Sequence, residues 1–196
     1  MKNLILVSFL FLSTVLFGQA KLTEKSKSYT VNKELAKAFF ERINEYRSGL
    51  KLGNFVWSES WYNNSLTCNL ALEKNNAWGH SSLENLPPNV DSELIVGFTY
   101  MNNDNNKNLN YKYIADSCLN QLLHSPPHKS VLLKPLMTEK IKEKNIKMFL
   151  TETVSVDILV NLSKYGSVSC IASNYGEYTT IKFIIQLSQD NTLAKN

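Results

Sequence analysis

The chain has only three histidines, His80, His124 and His128, and each stands where its chemistry can be weighed. His80 follows Trp78-Gly79 and precedes Ser81-Ser82, with Glu84 four residues on and Glu93 thirteen. Glu93 is the one acid in an otherwise apolar run, Leu94-Ile95-Val96. An ionised carboxylate at the rim of a core needs a partner, and a cation or a protonated imidazole would serve. The competing reading is that Glu93 faces solvent at a strand end. His124 and His128 are four apart, a spacing that on one helix would aim both rings from the same face, as in helical zinc sites. Pro126 and Pro127 lie between them and break helical geometry, so a helical pair is rejected and at most one of the two is expected as a ligand.

Other chemistries find little support. There is no nucleophile elbow, no phosphate-cradling glycine loop and no Cys-His signature. Ser125 has a histidine on either side, but closeness along the chain is no evidence for a Ser-His pair in space. The formal charge is +4, with no basic stripe interleaved with aromatics, so nucleic acid is excluded as a partner. The run Lys140, Lys142, Lys144 and Lys147 reads as a solvated face.

The elements that must position these groups follow from hydrophobic spacing. Asn32 can cap a helix in which Leu35, Phe39, Ile43 and Tyr46 recur on one face, ending at Gly49 and Gly53. Ser58 opens a second helix carrying Trp61, Leu66, Leu70 and Leu72 and ending near Asn75-Asn76. A third runs from about Tyr111 to Leu123 and stops before Pro126-Pro127, with one further helical turn over 130–133. The segment from Gly79 to Val90 is irregular because it holds Pro87-Pro88, and the Asn-rich stretch 101–110 reads as an exposed loop. From Asn145 the period becomes two: alternation over 146–150, 154–158, 168–171 and 181–185 predicts three or four antiparallel strands, with turns at Gly166 and Asn174-Tyr175-Gly176. Helices followed by strands predict an α+β fold, helices packed on a sheet.

The first twenty residues have the form of a signal peptide, with Lys2 ahead of the apolar run 4–17 and small residues up to Ala20. That run is shorter than the roughly 20 residues a membrane span needs, and no other apolar run suggests a transmembrane segment. Cleavage after Ala20 would leave 196 − 20 = 176 residues, one domain over 32–190 behind a flexible polar lead-in at 21–31. Export permits disulfides. The three cysteines, Cys68, Cys118 and Cys170, are odd in number and sit among apolar neighbours, so buried free thiols stand beside an unassignable pairing.

Six ordered segments resemble the CAP superfamily, the SCP-like extracellular domain. Asn44-Glu45-Tyr46-Arg47 looks like the N-E-x-R stretch ending its first helix, and Phe55-Val56-Trp57-Ser58 like its L-x-W-[DS] entry to the second. Gly79-His80-Ser81 matches its first histidine. Glu93-Leu94-Ile95 with Gly97 is similar to its E-N-I/L motif. His124-Ser125-Pro126-Pro127-His128-Lys129-Ser130-Val131-Leu132 resembles S-P-G-H-R-x-N-I-L, and Pro135 through Ile141 resembles P-x-F-T-E-I-G. The resemblance covers roughly residues 35–187. Pro127 in place of Gly, Leu94 in place of Asn, Ser130, and Lys140 and Glu143 where glycines are usual mark a divergent member.

The resemblance implies an α-β-α sandwich with a central antiparallel sheet. It also implies a cleft holding a divalent cation such as Zn²⁺, with His80, Glu93 and His128 as its residues. A second acid has no clean match; Glu139 and Glu84 are the candidates. Two neutral imidazoles and one carboxylate would leave an open position on tetrahedral zinc, or the carboxylate could orient an imidazole instead. Fold does not set function, and three readings stand: a secreted, non-enzymatic binding module for a metal, lipid or partner protein; a metal-dependent, peptidase-like extracellular hydrolase; and a structural surface protein.

Overall fold

The computed structural model describes residues 20–21, 25–81, 86–102, 110–133 and 163–191. Within these, β1 (Ala20–Lys21) and β4 (Ala77–Trp78) form a short antiparallel bridge, and the expected cleavage point after Ala20 falls inside it. The main sheet contains β2 (Ser28–Val31), β5 (Ser92–Met101), β6 (Tyr165–Asn174) and β7 (Tyr178–Ser188) in the order β2-β6-β7-β5, all antiparallel; β3 (Val56–Trp57) runs parallel to the start of β6. Helices α1 (Lys33–Gly49), α3 (Tyr111–His124) and α4 (Pro126–Leu133) pack together on one face. Helix α2 (Glu59–Lys74) covers the other. The fold is α+β, four helices around an antiparallel sheet.

Local chemistry accounts for the helix boundaries. The side chains of Asn32, Ser58 and Asn110 accept from backbone N–H groups of Leu35, Trp61 and Tyr113 and cap α1, α2 and α3. Pro126-Pro127 ends α3 as expected but also opens α4, eight residues long rather than one turn. A proline in a first helical turn forfeits only an N–H that has no intrahelical partner there.

Three further readings change. The segment 21–31 is not merely a flexible lead-in, because Ser28–Val31 pairs with Asn174–Ile171 as an edge strand. All four of its residues are exposed, so no apolar alternation announces it. The Asn-rich stretch begins later than expected, since β5 continues through Met101, paired with Tyr178. Gly166 is not at a turn but inside β6 opposite Leu187, where a Cβ would strike the Leu187 side chain. Residues 103–109 lie outside the described residues, as do 1–19, the alternating segments 146–150 and 154–158, the basic run 140–147 and the segment Pro135 to Ile141. Among the described residues no helix is long and apolar enough to cross a membrane. Cys68, Cys118 and Cys170 are buried and form no disulfide among the described residues, and burial pushes the Cys118 thiol up to about 12.

The stretch Asn44–Arg47 has a positional explanation. The Asn44 amide donates to Phe55 O (3.0 Å) and accepts from Phe55 N–H (2.9 Å), closing the turn after α1. Arg47 is fully buried, its guanidinium 4.1 Å from the Phe55 ring centre. It donates to Gly53 O (2.7 Å) and to Leu132 O, tying α1 to the last turn of α4, the helix that carries His128.

Candidate functional site

Glu93 is the second residue of β5, where its strand partner is Gln186 of β7. Its side chain is only 4% exposed, so it does not face solvent. Burial requires the carboxylate to be matched by donors. Ser81 N–H donates to Oε1 (2.8 Å), Ser81 Oγ–H to Oε2 (2.8 Å) and the Gln186 amide to Oε2 (2.9 Å). Gln186 is itself fixed, because its oxygen accepts from the Asn64 amide at 2.8 Å. Cys68 lies beneath, its sulfur 3.6 Å from the Gln186 amide nitrogen.

His80 completes the cluster. Its Nδ1 stands 3.4 Å from Glu93 Oε1, with the imidazole largely exposed. The carboxylate holds the His80 imidazolium above its usual range, partly offset by burial. Burial alone would push Glu93 up, but contacts from His80, Gln186 and Ser81 outweigh it and hold the carboxyl below its usual range. His128, half-buried in α4, is pushed down by burial and by the charge of His80.

The structure places His80 beside Glu93, while His128 stands in α4 and feels the charge of His80. It leaves His124 out: that ring is exposed, its Nδ1 2.7 Å from Asn120 O within α3. Glu84 and Glu139 lie outside the described residues. As a donor set, His80 and Glu93 offer one imidazole and a carboxylate whose two oxygens are already engaged. Among the described residues no group of three or more His, Cys, Asp or Glu side chains converges to hold a metal ion. The arrangement suits Glu93 as the group that orients His80 from behind, with Nδ1 toward the acid and Nε2 turned away from it, the usual support for a ligating imidazole. Sequence reasoning missed Ser81 and Gln186. Gln186 could have been flagged as the one amide in the apolar run Phe183-Ile184-Ile185-Gln186-Leu187.

No known family model matches the chain, and no curated protein matches it significantly. Among solved structures it is similar to an outer surface protein from Borrelia burgdorferi, at 12% identity and a TM-score of 0.47, covering 82% of this chain and 98% of that one. A likeness at that level carries no inference about function.

Proposed function

We propose that this chain is an exported, non-enzymatic binding module of the CAP type, with His80 and His128 as its ligand-facing pair and Glu93 as their anchor. The observation that supports it is the cost of building the anchor. A nearly fully buried carboxylate is held by Ser81 and Gln186 and spends its remaining contact on the exposed ring of His80. A stably folded core does not need such a group, since apolar replacements of buried ionic clusters are often as stable.

A divalent cation such as Zn²⁺ is the ligand that best suits two imidazoles, one of them backed by a carboxylate. With Glu93 engaged, such a cation would keep positions open for donors from an external molecule. That favours capture of a ligand over a closed structural site.

Equilibrium dialysis of the purified exported protein against zinc tests this, with the His80→Ala/His128→Ala double variant beside it. The reading expects one cation per chain, absent from the double variant, and a melting temperature that rises with zinc only in the wild type. Equal retention by both proteins, or none by either, sinks the metal-binding proposal. Turnover of a peptide or ester substrate that is lost on chelation would replace the binding module with the hydrolase.

A further inference from the structure

A second polar centre lies on the α2-covered face of the sheet, apart from the histidines. Lys182 of β7 is 2% exposed and Glu73 of α2 is 7% exposed. The Lys182 ammonium donates to Ala77 O (3.3 Å), stands 3.9 Å from Glu73 Oε2 and lies 5.8 Å from the centre of the Trp78 ring. Trp78 reaches this position because Gly97, the strand partner of Lys182, has no side chain; a Cβ there would strike the indole. Burial pushes the Lys182 amine down to about 8. Glu73 Oε1 accepts from Ser26 Oγ–H.

Glu73 is also the inner wall of a cleft of about 540 Å³ between α2 and the segment leading into β2, within the roughly 300–1,000 Å³ usual for small-molecule sites. Its lining is divided by chemistry. Lys25 and Lys74 are exposed on its border, and Lys27 borders it too while resting its ammonium against Gly176. Leu70 and Ala71 supply an apolar patch and Tyr29, 51% exposed, an open ring. The deep acid repels a compact anion, whereas the lysines attract one. A ligand that satisfies both has its negative group at the border, hydroxyl groups at the depth of Glu73, and C–H surface for the apolar patch and the tyrosine ring.

We propose that this cleft binds an acidic sugar, its carboxylate against Lys25 and Lys74 and its hydroxyls donating to Glu73. Lys182 sets a buried positive charge behind Glu73, and the carboxylate, whose Oε1 accepts from Ser26 Oγ–H, keeps lone pairs for a further donor.

Titration of the exported protein with glucuronate, glucose and inorganic phosphate, followed by amide NMR, tests the assignment. Saturable glucuronate binding is expected, with shifts concentrated at residues 25–29 and 70–74. Lys25→Ala/Lys74→Ala, a surface change that leaves the fold intact, should weaken glucuronate about tenfold, the scale of a lost charge-assisted hydrogen bond. Glucose should bind the wild type about tenfold more weakly for the same reason. Ala71→Phe, which fills the cleft, should abolish binding, and His80→Ala/His128→Ala should leave it unchanged, which separates this site from the histidine pair. The proposal is overturned if glucuronate does not saturate, if phosphate binds as tightly as glucuronate, or if folded Ala71→Phe protein binds like the wild type.

Discussion

The two faces of β6 and β7 are built from alternate residues of the same two strands, yet one is apolar throughout and the other is mostly polar. Toward α1 and α3 they present Val168, Cys170, Ile181, Phe183, Ile185 and Leu187, all buried in one apolar cluster with Phe39, Ile114 and Leu119. Toward α2 they present Ser167, Ser169, Lys182, Gln186 and Ser188, equally buried, together with Ile184, which packs in a smaller apolar cluster with Cys68, Leu72 and Ala77. Helix α2 answers with Ser65, Asn69 and Glu73 along one stripe. Ser169 Oγ–H donates to Ser65 O (2.9 Å) and the Asn69 amide donates to Lys182 O (3.2 Å), while Asn69 Oδ1 is buried with no hydrogen-bond partner among the described residues. The apolar face draws its stability from area removed from water. Outside its smaller apolar cluster, the polar face exchanges water contacts for protein contacts at little net gain, and it carries both Glu93 and the Lys182–Glu73 centre. Stability and chemistry have been divided between the two sides of one sheet.

The largest effect that would test this division is on the apolar side. Phe183 is fully buried, its ring 4.7 Å from that of Phe39, and Phe183→Ala should cost roughly 3–5 kcal/mol through lost burial and a cavity. A urea-denaturation loss below about 1 kcal/mol would mean that face is not the main source of stability.

Next comes the polar side. Glu73→Ala leaves Lys182 buried without its acid and should cost roughly 3 kcal/mol. The double variant Glu73→Leu/Lys182→Met should recover most of that loss, because the charge goes with its partner. A double variant as unstable as the single one would show that the polar face stabilises the fold in its own right.

The smallest effect is confined to a pH window. His80 is held above its ordinary value, so its stabilisation is complete below the unfolded value of 6.5 and is lost as pH rises through the folded one. Glu93 is held below its ordinary value, so its contribution is present above 4.5 and is lost as pH falls through the depressed value. His128, pushed down, loses its contribution as pH falls and works against the pair. The stability difference between wild type and Glu93→Gln should therefore peak between pH 4.5 and 6.5, and the His80 titration followed by NMR should move to lower pH in the variant. An unmoved His80 midpoint would show that the acid does not anchor the ring.

Local rules reached a good part of this architecture from the residues alone. Capping by Asn32 and Ser58, the interruption at Pro126-Pro127 and the alternation over 168–171 and 181–185 act within a few positions, so helices and strands could be read directly. Edge strand β2 could not, because its residues are all exposed and only pairing with β6 makes it a strand. Leu70, expected among the core residues of the second helix, instead borders the cleft beside Glu73.

The site divides along the same line. Residue types and spacing flagged His80, Glu93 and at most one of His124 and His128, since scarce imidazoles and a lone acid in an apolar run stand out in any sequence; the choice of His128 came from the CAP resemblance. What only the tertiary structure decided is what these groups do for one another. Glu93 meets Gln186 across 93 positions because β5 and β7 are neighbours in the sheet, and pairing of that kind depends on how the whole chain closes. The same closure buried Glu93 among Ser81, Gln186 and His80, and it buried Lys182 against Glu73, where nothing in the local pattern asked for a charge.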